Sequence, residues 1–315
     1  MTTKKVWQHK DLITIDILSI DDVKILFAQA RCFREAFSAN PNSRPLVDGR
    51  IVANLFFEPS TRTRIGFELA AKRLGMDTVL LSRDSSSIAK GESLRDTAET
   101  LQALGVHMIV LRHPCPGSAL YLSRLLDISV INAGDGAHAH PTQALLDCLT
   151  LADAFDDIFL GKKVTILGDI LFSRVARSNI RMLIKLGATV TVVGPATLIP
   201  KELQLMGVTV CYDLRTALVG ADALILLRVQ HERQISAYLP SLIEYKNFFG
   251  MSPKKLQWLK PNALILHPGP INQGVEIDIE TANSSRSAIL DQVKNGIAVR
   301  MASLHLCSLV CKKNS

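Results

Sequence analysis

Hydroxyl and guanidinium groups follow one another in the segment Ser60-Thr61-Arg62-Thr63-Arg64. The segment lies between an apolar run and a helical pattern, so it is predicted to form a strand-to-helix turn. In such a turn free backbone N–H groups and the helix dipole favour an anion. Arginine binds phosphate oxygens in a bidentate manner, and threonine hydroxyls donate further hydrogen bonds. The segment therefore predicts a phosphate site, and a capping serine followed by solvated arginines is the alternative without a ligand.

His140 and Gln143 lie three residues apart at the start of another helical pattern. A neutral imidazole and a side-chain amide are donors of the kind that polarise a carbonyl oxygen. A histidine with a purely structural role in the core is the alternative. His138 raises the question of a metal, but no cysteine or carboxylate spacing completes a ligand set, so we predict no metal site.

Three further polar residues, Arg174, Arg228 and Gln230, follow predicted strands in the second half of the chain. Ligands of open parallel sheets bind outside the carboxyl ends of the strands. Cations and an amide at these ends favour a carboxylate ligand, and solvated surface side chains are the alternative. The segment His267-Pro268-Gly269-Pro270 follows the last predicted strand.

The elements that must position these residues alternate along the whole chain. Short β-branched runs and helical patterns follow each other, which is typical of parallel strands joined by crossover helices. We therefore predict an α/β fold of two doubly wound parallel-sheet domains. The predicted strands are residues 51–56, 78–81, 108–111, 130–132, 164–167, 189–193, 223–227 and 263–266. The clearest helical patterns are residues 64–74, 93–104, 141–155, 173–186 and 289–309.

The length of 315 residues indicates two domains, since a domain usually holds roughly 100 to 200 residues. We expect residues 1–150 to form the first domain and residues 151–289 the second, with a C-terminal helix, residues 290–315, packing back on the first. Hydrophobic residues make up 48% of the chain, which excludes a mainly disordered protein.

The net charge of +7 is spread along the chain, with 36 lysines and arginines against 29 acidic residues. A nucleic-acid-binding protein would gather its cations on one face with stacking aromatics. Here Arg62, Arg112, Arg174 and Arg228 follow separate strands, and aromatic residues make up only 5%. We therefore expect a small anionic ligand and no nucleic acid.

The cysteines and the hydropathy of the chain indicate the cellular compartment of the protein. The six cysteines form no CxxC pair, and the N-terminus lacks the roughly 7 to 15 apolar residues of a signal peptide. No run of about 18 apolar residues indicates a membrane span. We expect a cytoplasmic protein with reduced thiols and no membrane partner.

Several cofactor and nucleophile motifs are missing from the chain. Gly168 stands without the GxGxxG pattern of dinucleotide sites, and no Walker motif, GxSxG elbow or cysteine-centred nucleophile motif occurs. We therefore predict no cofactor, and a reaction that transfers an already activated group by positioning and electrostatics.

Five segments with these residues occur in a characteristic order, namely residues 55–64 (LFFEPSTRTR), Ser86 with residues 90–93 (KGES), 112–114 (RHP), 140–143 (HPTQ) and 228–233 (RVQHER). Together they resemble the transcarbamoylase family and, within it, the aspartate carbamoyltransferase catalytic chains. The first segment is common to all transcarbamoylases, whereas residues 228–230 and 267–270 resemble the aspartate branch. The Ser-Met-Gly and His-Cys-Leu-Pro signatures of the ornithine branch are lacking.

The resemblance implies that the carbamoyl group of carbamoyl phosphate is transferred to L-aspartate, which gives N-carbamoyl-L-aspartate and phosphate in pyrimidine synthesis. It implies that carbamoyl phosphate is bound by Ser60, Thr61, Arg62, Thr63, Ser86, Lys90, Arg112, His140 and Gln143. Among these, Arg62, Thr63, Arg112 and His140 are implied to be catalytic. Aspartate is implied to be bound by Lys90, Arg174, Arg228, Gln230, Gly269 and Pro270.

The resemblance further implies a homotrimer in which Ser86 and Lys90 come from the neighbouring subunit. Larger assemblies of this family include regulatory chains or dihydroorotase, and the sequence leaves both partners open. The rival interpretation is transfer to ornithine or another amino acid, against which Arg228 and Gln230 argue. Gln273 departs from the pattern, since many relatives with this type of ending have arginine there.

Overall fold

The computed structural model of the chain describes residues 6–40, 47, 49–82, 92–230 and 238–311. The chain divides into two compact units, which we call unit 1 (Met1–Leu145 with Lys294–Ser315) and unit 2 (Leu146–Val293). Each unit contains one sheet in which every pair of neighbouring strands is parallel. The prediction of an α/β fold with two doubly wound parallel sheets is therefore confirmed.

The first part of the chain alternates helices and strands up to the helix that leads into unit 2. The elements are α1 (Ile20–Ala39), β1 (Ile51–Phe56), α2 (Thr61–Arg73), β2 (Asp77–Ser82), α3 (Leu94–Ala103), β3 (Met108–His113), α4 (Ser118–Leu125), β4 (Ser129–Asp135) and α5 (Pro141–Ala154). The order of the strands in this sheet, called sheet 1, is β2-β1-β3-β4. The chain therefore reverses its winding direction between β1 and β3, and this switch point is where open sheets bind ligands.

Unit 2 repeats the same plan with one more strand. Its elements are β5 (Lys163–Leu167), α6 (Arg174–Leu186), β6 (Thr189–Val193), β7 (Thr209–Cys211), α7 (Leu214–Leu218), β8 (Ala223–Leu226), α8 (Leu242–Phe249), α9 (Pro253–Leu256), β9 (Leu264–Leu266) and α10 (Ile279–Ala282), and α11 (Ile289–Cys311) ends the chain. The order in this sheet, called sheet 2, is β7-β6-β5-β8-β9. Its switch point lies between β5 and β8.

Each sheet is covered by an apolar core. In unit 1, Ala53 and Leu55 of β1 and Ile109 and Leu111 of β3 belong to one buried cluster with residues of α3 and α4. In unit 2, one buried cluster joins residues of β8 and β9 with residues of α7. The nearly continuous burial of β1, of β8 and of the first four residues of β3 explains why these stretches are nearly uniform apolar runs.

The structure differs from the predicted secondary structure at two places that matter for the site or for the topology. Helix α2 begins at Thr61 instead of residue 64, so Thr61, Arg62 and Thr63 form its first turn. The sequence pattern also misses β7, because a three-residue edge strand is too short to show a period of two. No helix in the described part of the chain is long and apolar enough to span a membrane.

Candidate active site

The first turn of α2 lies at the carboxyl end of β1, at the switch point of sheet 1. Ser60 is the N-cap residue in extended conformation, but its side chain makes no capping hydrogen bond. Thr61 and Arg62 are exposed and Thr63 is buried. No acidic residue stands in this first turn. The turn therefore combines the backbone N–H groups of a helix N-terminus, hydroxyls and a guanidinium, which is the environment that an anion requires.

Arg112 stands in β3, directly across the switch point from β1. The two strand ends are joined by the N–H of Phe57, which donates to the carbonyl oxygen of Arg112 at 2.9 Å. The Arg112 side chain is held from both sides, because Nε lies 3.5 Å from Oε2 of Glu58 and Nη1 donates to the carbonyl oxygen of Ala133 at 3.3 Å. A second guanidinium is thus fixed beside the helix terminus.

The buried carboxylate of Asp135 organises the turn after β4. It accepts hydrogen bonds from the N–H of Gly117 (2.7 Å), the N–H of Ala139 (3.1 Å) and the side-chain amide of Asn132 (2.9 Å). Nδ1 of His138 lies 2.9 Å from the same carboxylate. His138, considered above as a metal ligand, is therefore part of this turn.

His140 and Gln143 follow this turn at the start of α5. Both side chains are buried, with 3% and 6% exposure. The carbonyl oxygen of His140 accepts hydrogen bonds from the N–H groups of Gln143 (3.1 Å) and Ala144 (3.2 Å), so His140 forms the cap of the helix. Pro141 suits the first helical position because its missing N–H would be unpaired there in any case. The imidazole and the amide are thereby fixed one turn apart.

In unit 2, the turn after β5 brings Arg174 to the switch point of sheet 2. Gly168 has a φ of 134°, and a Cβ there would lie 3.0 Å from the carbonyl oxygen of Leu227, so only glycine fits. The next residue, Asp169, is buried and accepts a hydrogen bond from the N–H of Phe172 at 3.1 Å. Ser173 caps α6, and Arg174 is its first residue with 4% exposure.

Arg228 and Gln230 follow β8, and two buried carboxylates hold the backbone of this segment. Oε1 of Glu276 accepts a hydrogen bond from the N–H of Val229 at 2.9 Å. Oδ2 of Asp169 lies 3.4 Å from the N–H of Gln230. The backbone between the two candidate ligand side chains is therefore anchored.

Glu276 also binds the loop that follows β9. Its carboxylate accepts hydrogen bonds from the backbone N–H (2.8 Å) and the side-chain amide (2.7 Å) of Asn272. Burial raises the pKa of Glu276, although these hydrogen bonds oppose the shift. Burial, with Glu276 and Asp169 nearby, also raises the pKa of the Tyr245 hydroxyl far above its usual range. This part of unit 2 is thus a buried, polar interior behind the candidate ligands.

The segment His267–Pro270 leaves β9 at the carboxyl edge of sheet 2. Nδ1 of the buried His267 accepts a hydrogen bond from the N–H of Gly269 at 2.8 Å. Gly269 has a φ of 65°, which favours glycine, and the peptide bond to Pro270 is cis. Gly269 is half-buried and Pro270 is exposed.

The structure thus brings the candidate residues to two sheet edges, one in each unit. Ser86 and Lys90 lie outside the described residues. Glu276 had no motif around it that could have revealed its role, because its partners include a backbone group far away in sequence. Asp135 did carry a signal, since it stands between two glycines just after the end of a predicted strand and its polar side chain interrupts the apolar pattern there.

Anion-binding groups at both switch points, without any nucleotide motif, define a class of enzymes that transfer a group between anionic small molecules. Residues 10–153 match the family model "Aspartate/ornithine carbamoyltransferase, carbamoyl-P binding domain", and residues 160–307 match "Aspartate/ornithine carbamoyltransferase, Asp/Orn binding domain". The chain belongs to the aspartate/ornithine carbamoyltransferase family.

Relatives within this family are similar over nearly the whole chain. The aspartate carbamoyltransferase catalytic subunit of Opitutus terrae is 54% identical over 302 residues, which are 96% of this chain and 96% of that protein. The catalytic subunit from Moorella thermoacetica is 48% identical and covers 95% of this chain and 97% of its own.

Solved structures of both branches share the fold. Aspartate transcarbamoylase from Trypanosoma cruzi in complex with N-(phosphonacetyl)-L-aspartic acid has a TM-score of 0.84 at 29% identity, with 95% of each chain covered. Ornithine carbamoyltransferase from Pyrococcus furiosus has a TM-score of 0.83 at 25% identity, covering 96% of this chain and 98% of its own. The fold alone therefore does not separate the two acceptors, and the site must do so.

Proposed function

We propose that this chain transfers the carbamoyl group of carbamoyl phosphate to the amino group of L-aspartate, giving N-carbamoyl-L-aspartate and phosphate for pyrimidine synthesis. The observation that carries the proposal is the placement of cationic and amide side chains at the switch points of both sheets. In this proposal unit 1 binds carbamoyl phosphate and unit 2 binds aspartate. No cofactor is required, because carbamoyl phosphate is already activated.

The phosphate of carbamoyl phosphate binds at the first turn of α2 in this proposal. Ser60, Thr61 and Thr63 donate hydroxyl hydrogen bonds, and Arg62 with Arg112 supplies positive charge. The missing cap bond of Ser60 supports this role, because its hydroxyl is not used by the helix. The carboxylate of Glu58 beside Arg112 keeps that guanidinium in place.

The chemical step requires an oxyanion to be stabilised. The neutral amine of aspartate attacks the carbonyl carbon, a tetrahedral oxyanion forms, and the bond from carbon to the bridging phosphate oxygen breaks. Thr63, Arg112 and His140 donate to the developing oxyanion, while Gln143 binds the carbamoyl amino group. The departing phosphate accepts the proton of the amine, so no separate base is needed. Donors aimed at the oxyanion act mainly in the transition state.

The acceptor is held by unit 2. Arg174, Arg228 and Gln230 bind the two carboxylates of aspartate, and the loop with Gly269 and Pro270 contacts the reacting groups. The buried anchors of the residue 228–230 backbone support this assignment, since bidentate recognition of a carboxylate requires a fixed guanidinium. Ornithine would instead need an acidic partner for its cationic tail.

We further propose a homotrimer in the cytoplasm, with Ser86 and Lys90 contributed to each site by the neighbouring subunit. The edge strand β2 supports an association of subunits, because Val79 and Leu80 are both more than 40% exposed. Large apolar side chains that stay exposed on an edge strand, as they do here among the described residues, invite pairing with another chain. The cytoplasmic location agrees with the free thiols of Cys32, Cys115, Cys148 and Cys211.

The function is tested by phosphate release from carbamoyl phosphate with L-aspartate in one reaction and L-ornithine in another, with the product identified by mass. We expect turnover only with aspartate. Turnover with ornithine would mean that the acceptor side chains of unit 2 are misassigned.

The shared site is tested by mixing two inactive variants, Lys90→Gln and Arg112→Ala, after dissociation. Hybrid trimers should recover activity, because some sites then contain neither substitution. The native particle should have three times the mass of the 34.5 kDa chain. A larger particle from cells would contain regulatory chains or dihydroorotase, whereas an active monomer would contradict the shared site.

A further inference from the structure

A series of buried hydrogen bonds leads from the His267–Pro270 loop into the interior of unit 2. The N–H of His267 donates to Oε1 of Gln292 in α11 at 2.8 Å. Nε2 of Gln292 donates to Oδ1 of Asp147 in α5 at 2.7 Å, and Nδ2 of Asn179 in α6 donates to Oδ2 of Asp147 at 2.8 Å. All four residues have 3% exposure or less.

Asp147 determines which atoms in this series of hydrogen bonds donate and which accept. An ionised carboxylate only accepts hydrogen bonds, so the amide nitrogens of both Gln292 and Asn179 must face it. The other end of the Gln292 amide is then necessarily its oxygen, and this oxygen points at the N–H of His267. A reversed amide would place two donors against each other in a dry interior.

We infer that Gln292, oriented by Asp147, is a positioning residue for the His267–Pro270 loop, which rests on the proposed contact of that loop with the reacting groups. His267 is the first residue after β9, and its imidazole in turn binds the N–H of Gly269. The hydrogen bond between His267 and Gln292 therefore fixes the start of the loop. The His267 side chain then fixes Gly269 by accepting a hydrogen bond from its N–H.

The expected consequence is kinetic. Misplacing a loop next to reacting atoms by about 1 Å lowers the rate by roughly a hundredfold. None of the residues in this series of hydrogen bonds is assigned to the phosphate of carbamoyl phosphate, so the KM for carbamoyl phosphate should remain unchanged when Gln292 is altered. A purely structural role would instead lower the melting temperature and leave the kinetic constants of the folded fraction intact.

The decisive test exchanges the amide and the carboxylate. Gln292→Glu places one carboxylate against another, 2.7 Å apart in the native pair, and should lower kcat roughly ten- to a hundredfold. The double variant Asp147→Asn with Gln292→Glu restores the hydrogen bonds of this series, because the amide introduced at position 147 can donate to the new carboxylate and accept from Asn179. We expect kcat within about threefold of the unmodified protein.

Two single substitutions separate loss of the acceptor from loss of the charge. Gln292→Met keeps the length of the side chain and removes the acceptor without adding charge, so it reports on the loop if Gln292→Glu does not fold. Asp147→Asn alone should have a smaller effect than Gln292→Glu. Oδ1 of Asn179 has no hydrogen-bond partner among the described residues, so the Asn179 side chain can turn to face an amide at position 147 without losing a bond.

The matched control is Gln257→Glu, which also replaces a glutamine amide with a carboxylate. Gln257 is exposed and lies outside the buried network of unit 2, so this variant should leave all kinetic constants unchanged. Unchanged kcat in folded Gln292→Met, or a folded double variant that stays as slow as Gln292→Glu, would overturn the inference. Absence of aspartate turnover in the unmodified protein would instead contradict the proposed function, so the two failures are distinguishable.

Discussion

Buried carboxylates hold the candidate ligand segments of both units, but they reach over very different distances along the chain. Asp135 in unit 1 binds Asn132, His138 and Ala139, all within four residues of itself, and also Gly117. Glu276 in unit 2 binds the N–H of Val229, which lies 47 residues earlier. The turn before His140 is therefore organised locally, whereas the segment of Arg228 and Gln230 depends on a distant loop.

This difference matters for how each half of the site responds to change. A local turn keeps its shape once its own strand has formed, so substitutions there should act on the side chains they alter. A segment anchored from a distance transmits changes between the two loops that share the anchor. We therefore expect variants of unit 1 to affect chemistry directly, and variants of the Glu276 anchor to affect the acceptor through position.

The largest effect is expected for His140→Ala in the locally organised half. The substitution removes an oxyanion donor, so kcat should fall roughly ten- to a thousandfold in steady-state assays. The native mass should be unchanged, because the Asp135 network that shapes the turn does not involve the imidazole of His140. Unaltered turnover would remove His140 from the proposed mechanism.

A smaller and different effect is expected for Glu276→Gln. The amide cannot accept from all three N–H groups, so the backbone of Val229 or the loop at Asn272 should shift. We expect the KM for aspartate to rise roughly tenfold, with the KM for carbamoyl phosphate unchanged.

Asp222→Asn provides the control for this variant. Asp222 accepts a hydrogen bond from the N–H of Lys163 at the amino end of sheet 2, away from the candidate ligands. Its kinetic constants should match those of the unmodified protein. Equal KM values for aspartate in Glu276→Gln and Asp222→Asn would contradict the claim that the Glu276 anchor positions the acceptor residues of unit 2.

The smallest effect concerns stability and pH. Burial raises the pKa of Glu276 in the folded protein above its ordinary value of 4.5, so folding disfavours the ionised carboxylate. The contribution of Glu276 to the free energy of unfolding is therefore fully present below pH 4.5, and it is lost as the pH rises through the raised pKa of the folded protein. In urea titrations, the free energy of unfolding of Glu276→Gln should therefore increase relative to that of the unmodified protein as the pH rises from about 4 to about 7. A difference independent of pH would contradict the shift.

Most of the strands, and the polar segments that follow them, could be predicted from the order of the amino acids alone. Residues 51–56 and 189–193 form strands with the predicted bounds, because runs rich in β-branched and apolar residues between turn signals favour strands. The polar segments after the strands could be recognised for the same reason, since each follows its strand directly in sequence. The start of α2 was predicted three residues too late, because Thr61 and Thr63 are weak helix formers.

The residues that hold those segments in place become visible only in the folded chain. Strand order brings Arg112 beside the first turn of α2, and no local pattern encodes that order. Glu276, Gln292 and Asp147 act through hydrogen bonds to groups between 25 and 145 residues away. Such bonds form wherever folding brings a buried donor to a buried acceptor, and nothing in the neighbouring sequence marks them.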